Sequence, residues 1–297
     1  MSGKAAFVAV LGRPSAGKST LVNQICGEKV AIVSAVPQTT RNAIRGIVNR
    51  EQGQLVFIDT PGRHKSEKKI NKKLMDISGK AMEDSDMILY VMDASRPPGP
   101  EETELAALLV PHAPRVVVAI NKKDCANADC AGAREFIANN GLDAQRCFSI
   151  SAKNNEGIEP LLAALYDLAE EGEPFYGAEY YTDQEVDFRI AEIIREQAIN
   201  RLREELPHAL YVAVADTEFT GDDPSRQTLW VRAFIVVERE SQKGMVVGKG
   251  GAMIKAIRLA ALKELRQIFD WKIDLDLRVK TGKDWRHDDK TLRRLIT

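Results

Sequence analysis

From about residue 5 to residue 168, short apolar runs alternate with amphipathic stretches. The pattern predicts strands at 6–11, 55–59, 87–93, 115–121 and 146–149, with helices between them at 18–26, 70–84, 100–109, 131–139 and 159–170. Runs that are apolar throughout, such as the one from Met87 to Met92, are what parallel strands buried on both faces look like. Regular strand–helix alternation implies a doubly wound α/β sheet, with ligands at the carboxyl ends of its strands.

The texture changes between Glu170 and Thr182, where acids, Gly, Pro and aromatics mix without period, as a linker does. The expected organisation is therefore a first domain over 1–172, a linker over 173–186 and a second domain over 187–297. In the second domain a charged amphipathic helix is expected over 187–206, closed by Pro207. Strands follow at 210–215 and 229–237, joined by a polar turn at Gly221-Asp-Asp-Pro-Ser. A helix over 252–269 repeats Ile254, Ile257, Ala261, Leu265 and Ile268 at 3–4 spacing. The strict alternation at 273–280 reads as a half-buried strand.

A chain of 297 residues suits two domains of ordinary size. The formal net charge is −1, divided evenly along the chain, so any nucleic-acid contact must come from local clustering. Cys26, Cys125, Cys130 and Cys147 form no C-x-x-C pair, and free thiols in a reducing cytoplasm are expected. No apolar run approaches the roughly 20 residues that cross a bilayer, although peripheral membrane contact stays open.

Gly12, Arg13, Pro14, Ser15, Ala16, Gly17, Lys18 and Ser19 fit G-x-x-x-x-G-K-[ST], with Thr20 next, directly after a strand and before a helix. Glycines let the backbone wrap a β-phosphate, and amides with a helix N-terminus supply positive potential. Lys18 should reach the β- and γ-phosphates, and the Ser19 hydroxyl should ligate Mg²⁺. Asp59, Thr60, Pro61 and Gly62 end the next strand. There the carboxylate can hold Mg²⁺ through a water, and Gly62 leaves room for a backbone N–H to meet the γ-phosphate. Asn121, Lys122, Lys123 and Asp124 follow another strand. Asp124 can accept from the guanine ring N–H and exocyclic amine, a donor pair adenine lacks; Asn121 can brace the loop, and the stem of Lys122 can lie along the base. Ser151, Ala152 and Lys153 follow the last strand, where a backbone amide can meet the guanine carbonyl. The motifs together imply GTP or GDP with Mg²⁺.

These motifs, in this order, resemble those of translation-factor-class P-loop GTPases, and Pro37-Gln38-Thr39-Thr40-Arg41 with Asp59-Thr-Pro-Gly62 resembles the Era-type branch. The resemblance implies that the loop Pro37, Gln38, Thr39, Thr40 and Arg41 is a switch ordered by the γ-phosphate. Thr40 would be its Mg²⁺ ligand, with Thr39 the adjacent competitor. The residue after D-T-P-G is Arg63, where small signalling GTPases carry a water-positioning Gln and Era-like proteins usually an apolar residue. Arg63 either reaches the γ-phosphate or points to solvent beside His64 and Lys65. Without a positioned carboxamide, intrinsic hydrolysis should be slow, below about 1 s⁻¹.

In the second domain Lys243, Lys249, Lys255, Arg258 and Lys263 fall in a stretch that carries no acid. Gly248, Lys249, Gly250 and Gly251 make a G-x-x-G turn between helical segments, which lets a backbone approach a nucleic-acid strand. Met245, Val246, Val247 and Ile254 are expected as an apolar groove floor, and Lys243, Lys255 and Arg258 as phosphate contacts. This is the KH mode, clamping about four nucleotides of single-stranded RNA. The order of elements resembles the type II KH arrangement. Glu238-Arg-Glu-Ser-Gln-Lys-Gly and Asp284-Trp-Arg also look like Era-type segments.

The resemblance spans residues 7 to about 286. It implies a cytoplasmic and monomeric GTP switch that binds the 3′ end of small-subunit ribosomal RNA and assists small (30S) subunit maturation. Peripheral association with the inner face of the plasma membrane is part of that expectation. Two other readings are a small-molecule kinase, disfavoured by N-K-K-D and the Thr-bearing loop, and a GTP-gated adaptor whose second domain only looks like KH. A tandem GTPase is excluded by the single G-x-x-x-x-G-K-S.

Overall fold

The computed structural model describes residues 3–37, 39–62, 69–221, 227–286, 288, 291–292 and 295. The chain divides into two compact units, one built on the N-terminal strand and helix with Pro37–Asp183, the other on Gln184–Leu295. The first unit runs β1 (Lys4–Leu11), α1 (Lys18–Cys26), β2 (Ile44–Arg50), β3 (Gly53–Asp59), α2 (Lys69–Glu83), β4 (Met87–Asp93), α3 (Pro100–Leu109), β5 (Val116–Asn121), α4 (Cys130–Asn139), β6 (Cys147–Ser149) and α5 (Ile158–Leu168).

The sheet order is β2-β3-β1-β4-β5-β6, and every neighbouring pair is parallel except β2 with β3. β4 and β5 are buried along their whole length. Tyr90, Met92, Val118 and Ile120 pack there with Leu105 and Leu109 of α3 and Ile137 of α4. Burying each such aliphatic side chain contributes about 1.5–3 kcal/mol. β1 lies between β3 and β4; the chain adds β3 on one side of it and then β4 on the other, so the loops above β1 and β4 open at a reversal of strand order, where α/β sheets bind ligands. Cys26, Cys125, Cys130 and Cys147 are all free thiols.

β2 was not expected from the pattern. It forms a hairpin with β3 in which Arg50 faces Gly53, and the turn residues Glu51 and Gln52 lack the Gly or Asn chemistry that marks a two-residue hairpin. As an edge strand β2 needs cover. Residues 173–183, which composition marks as a linker, supply some within this unit: Ile47 N–H donates to the Tyr181 carbonyl (2.9 Å), and Thr182 Oγ1 donates to the Arg45 carbonyl (2.8 Å). The Gln54 side chain accepts from the N–H groups of Phe175 and Tyr176 and donates to the Tyr176 carbonyl.

The second unit runs α6 (Val186–Ile199), α7 (Leu206–Ala209), β7 (Leu210–Thr220), β8 (Thr228–Val237), α8 (Glu240–Val247), α9 (Ala252–Ile268) and β9 (Lys272–Thr281). The first helix is shorter than its amphipathic pattern suggested. It ends at Ile199, and Pro207 sits in the first turn of α7, where a missing N–H costs nothing. The sheet order is β7-β8-β9; β7 is antiparallel to β8 and β9 parallel to it. A parallel pair needs a crossover, and α8 with α9 provides it. Leu229, Val231, Ala233 and Ile235 of β8 alternate inward to meet Ile190 and Ile194 of α6 and Ile257, Ala261 and Leu265 of α9. Buried Trp285 donates its indole N–H to the Ala209 carbonyl at 3.1 Å, and Arg286 pairs with Glu238.

Candidate functional site

Between β1 and α1 the chain turns through residues 12–17, and the helix opens on Gly17 in a left-handed conformation (φ 94°). Lys18 is buried, and its Nζ donates to the carbonyls of Gly12 and Arg13, both at 3.0 Å. Burial pulls the ammonium from its ordinary 10.5 down to about 8, opposed by the Asp59 charge. Ser19 Oγ donates to Asp59 Oδ2 at 2.6 Å and lies 2.9 Å from Thr40 Oγ1, which is itself 3.5 Å from Asp59 Oδ2. Burial lifts Asp59 from its ordinary 3.8 to about 6, against the pull of Lys18 and of the two hydroxyls.

The other carboxylate oxygen, Asp59 Oδ1, is buried with no hydrogen-bond partner among the described residues. An orphaned carboxylate oxygen beside two hydroxyls is a hard-oxygen set that suits Mg²⁺, which takes one or two carboxylates and completes its shell from phosphates and water. Among the described residues no group of three His, Cys, Asp or Glu could hold a metal. The fit is thus to a metal arriving with a phosphate ligand rather than to a caged structural ion.

Asn121 ties three loops together. Its Nδ2 donates to the Ala16 carbonyl (2.9 Å) and its Oδ1 accepts from Ala152 N–H (3.0 Å), both buried. The approach is so close that a Cβ on Gly17 would lie 2.3 Å from Asn121 Nδ2, which is why this position is glycine. Asn121→Ala should leave a buried carbonyl and a buried N–H unpaired, so a loss of about 2–4 kcal/mol is expected in urea unfolding of the protein. A loss under about 1 kcal/mol would show that the loops hold one another by other means.

Exposed Asp124 accepts from Ser151 Oγ at 2.7 Å, and Ser151 Oγ in turn accepts from Asn154 N–H at 3.1 Å. The Ser151 hydroxyl is the main cause holding Asp124 below the usual carboxylate range, so it stands as an oriented, ionised acceptor. Lys122 adopts φ 68°, and its Nζ donates to Asp93 Oδ2 at 2.8 Å, which pins the head of the side chain and leaves its stem as a rail beside Asp124.

The glycine turn of the second unit links α8 to α9. Gly248 has φ 73°, and a Cβ there would lie 2.7 Å from Met253 Cβ and 2.9 Å from its N, so only glycine fits. Gly250 (φ 58°) has open space around it, and Lys249 and Lys255 are exposed. β9 is an edge strand of the three-stranded sheet, and Arg258 of α9 reaches it through the Leu275 carbonyl. Val246 is not part of its floor. Its side chain is fully buried in the core because it lies on the inner face of α8, whereas Val247 and Ile254 are half-buried and Met245 is exposed. Arg258 is tied to β9 through the Leu275 carbonyl and an Asp274 contact at 3.2 Å, and Lys243 pairs with Glu240 at 3.0 Å. Both cations are therefore partly neutralised, whereas exposed Lys249 at the turn and exposed Lys255, Lys263 and Arg266 on α9 have no ion pair among the described residues.

Residues 7–122 match the family model described as a 50S ribosome-binding GTPase, and residues 205–286 match the KH domain model. GTPase Era of Treponema denticola is 51% identical over 97% of this chain and 98% of its own, and GTPase Era of Borreliella burgdorferi is 43% identical over 99% of each. The chain belongs to the Era family of GTPases. Two solved Era structures, each 30% identical and covering 98% of both chains, superpose on it. One is an Aquifex aeolicus Era variant bound to GDP and AlF₄⁻ (TM-score 0.91), and the other is Era with MgGDPNP and nucleotides 1506–1542 of 16S ribosomal RNA (TM-score 0.90).

In this Era-family chain the structure adds residues to the nucleotide site that the motifs do not name. Asp93, at the carboxyl end of β4, accepts from Lys122, from Ser95 Oγ (2.6 Å) and lies 3.6 Å from Arg13 Nη2, while Arg13 Nε lies 2.8 Å from buried Glu102. Burial pushes Asp93 upward, but the Lys122 and Ser95 hydrogen bonds outweigh it and keep it below the usual range. The phosphate loop and the base loop are thus joined through one buried carboxylate. Its sequence signal was its place at the end of an all-apolar strand. Arg63 and Gln38 lie outside the described residues.

Proposed function

We propose that this Era-family GTPase is a GTP-controlled, single-strand RNA-binding switch that acts at the 3′ end of small-subunit ribosomal RNA during 30S subunit assembly. The observation that carries the reading is the coexistence in one chain of the Asp59–Ser19–Thr40 convergence and an open glycine turn beside a sheet edge. The reading draws support from the Era structure holding MgGDPNP and 16S ribosomal RNA nucleotides, which aligns over both units. The functional division is a nucleotide domain over 1–172 and an RNA domain over 187–297.

On this reading, backbone amides of the 12–20 segment and Lys18 hold the β- and γ-phosphates, and Asn121, Asp124 and the 151–153 loop hold guanine. Ser19, Thr40 and Asp59 are the residues that would hold the Mg²⁺ accompanying the nucleotide. Bound there, it would supply positive charge that offsets the charge of the nucleotide's phosphates. The Thr40 hydroxyl already stands in the constellation, so a γ-phosphate selects the arrangement of residues 37–41 that keeps it there, and hydrolysis releases it.

The finer part of the reading is a monomer, cytoplasmic, that touches the inner face of the plasma membrane only at its surface. Among the described residues no helix is long and apolar enough to cross a membrane. Sedimentation at micromolar protein, and flotation with anionic vesicles, check these two points.

The RNA claim is tested with Gly250→Asp. The position has φ 58°, which Asp tolerates, and no atom lies within 4 Å of the new Cβ, so the fold should survive. A carboxylate placed where phosphates must approach should cut binding of a 3′-end 16S RNA oligonucleotide at least tenfold, with GTP affinity unchanged. Retained RNA binding by a folded Gly250→Asp protein would favour the adaptor reading.

A further inference from the structure

Trp271, between α9 and β9, is 38% exposed, and Phe219, near the end of β7, is 48% exposed. Large rings held at a surface invite explanation where they cluster. Phe269 stacks on Trp271 with centroids 5.5 Å apart and planes inclined by 13°, and Phe219 meets Trp271 at 5.4 Å and 88°. The Arg189 guanidinium carbon lies 5.1 Å from the centre of the Phe269 ring. Phe269 itself is buried, so the stack is rooted in the core and ends at the surface in Trp271.

A track of charge leads to these rings. Lys255, Leu259, Lys263 and Arg266 are spaced by four, four and three residues, which places them on one face of α9, and all four are exposed. Lys249 in the glycine turn and Lys272 after Trp271 extend the track at its two ends. The acids of this stretch are Glu264, which is half-buried and accepts from Gln197 at 3.5 Å, and exposed Asp270. The 17 residues of α9 put about 25 Å between turn and rings, farther than a strand clamped only at the turn would reach.

We propose that Trp271 and Phe219 form a base-stacking subsite for single-stranded RNA whose backbone leaves the 248–251 turn and follows the Lys255, Lys263 and Arg266 face of α9. The subsite rests on the RNA-binding reading of the glycine turn. A cationic groove that ends on exposed aromatic rings is the general design for holding single strands: phosphates follow the charge, and any base can stack on a ring. The contact adds affinity and length without reading sequence.

The test compares a tetranucleotide with a dodecanucleotide of single-stranded RNA, both fluorescently labelled, on the full chain loaded with a non-hydrolysable GTP analogue. Trp271→Ala should weaken the dodecanucleotide about tenfold, leave the tetranucleotide within twofold, and leave the salt slope unchanged, because a ring carries no charge. Trp271→Phe should restore most of the dodecanucleotide affinity, and its circular dichroism guards against misfolding of the alanine variant. Lys263→Gln with Arg266→Gln should flatten the salt slope for the dodecanucleotide by about 0.7 per charge. Equal losses on both RNAs, or none on either, would overturn the subsite while leaving the glycine turn as the RNA site. A wild-type protein that binds neither RNA would overturn the RNA reading and the subsite with it.

Discussion

Asp124→Asn is expected to weaken GTP and GDP binding by about two to three orders of magnitude and to admit xanthosine nucleotides in their place. Guanine presents a ring N–H and an exocyclic amine on one edge, and an ionised carboxylate can accept from both. Asn accepts through one oxygen only and turns an NH₂ donor toward the guanine amine. Hydrogen bonds to a charged acceptor contribute about 1.5–3 kcal/mol each, so losing one and opposing the other amounts to about 3–5 kcal/mol. Xanthine carries a carbonyl where guanine carries its amine, and the Asn NH₂ then finds an acceptor. The pocket should otherwise keep its shape, because Ser151 Oγ, 2.7 Å from Asp124 Oδ1, can bond an amide oxygen as it bonds the carboxylate. Fluorescent-nucleotide titration with GTP and XTP decides the matter. GTP affinity within fivefold of wild type would remove Asp124 from base recognition.

Asp59→Asn should have two opposite effects. GTP hydrolysis should fall at least a hundredfold, because the variant loses the Asp59 carboxylate at the Ser19 and Thr40 hydroxyls and with it the negative charge that retains a divalent ion there. The protein stripped of metal and nucleotide, by contrast, should become more stable at neutral pH. Burial raises the folded-state value of Asp59 to about 6 from the 3.8 of an unfolded chain. Between about pH 4 and pH 6 the folded protein therefore holds a proton that the unfolded chain has released, and stability falls as pH rises through that window. Above pH 6 the whole cost stands, on the order of 3 kcal/mol. A neutral carboxamide avoids it. The midpoint of thermal unfolding in EDTA at pH 7.5 should rise by several degrees in Asp59→Asn, and the advantage should shrink to nothing near pH 4. A lower midpoint at pH 7.5 would mean that the Lys18 attraction and the Ser19 and Thr40 hydrogen bonds to the carboxylate outweigh its desolvation.

The nucleotide site was legible because each of its motifs is local. Residues 12–20, 59–62, 121–124 and 151–153 each sit where an apolar strand stops, and a strand's end can be read from a run of side chains without knowing its neighbours. The edge strand β2 could not be read this way. Three of its seven residues are polar, its Glu51–Gln52 turn carries no turn signature, and its register comes entirely from pairing with β3. The end of α6 was hidden for a related reason. Amphipathic spacing continues past Ile199 to Leu202, which stays in the core although the helix has stopped, so periodicity overran the boundary. In the glycine turn the chain order named the right segment but not the direction of each side chain. Val246 and Val247 are adjacent and equally apolar, yet the first is core and the second only half-buried, because successive helical residues are rotated by about 100° and only packing tells which arc is inside.

By itself, then, the sequence determined the fold class, the nucleotide, the cation and the glycine turn, since these depend on short segments whose chemistry is complete within a few residues. Tertiary structure alone decided what joins them. It brought Asp93 between Arg13 and Lys122, set Asn121 against Gly17, left Asp59 Oδ1 without a partner beside two hydroxyls, and stacked Trp271 on Phe269 at the far end of a basic helix face. Each of those contacts pairs residues distant in the chain or adds a direction in space. Burial and direction arise only when strands and helices pack, and they turned a set of motifs into a site with a particular charge and shape.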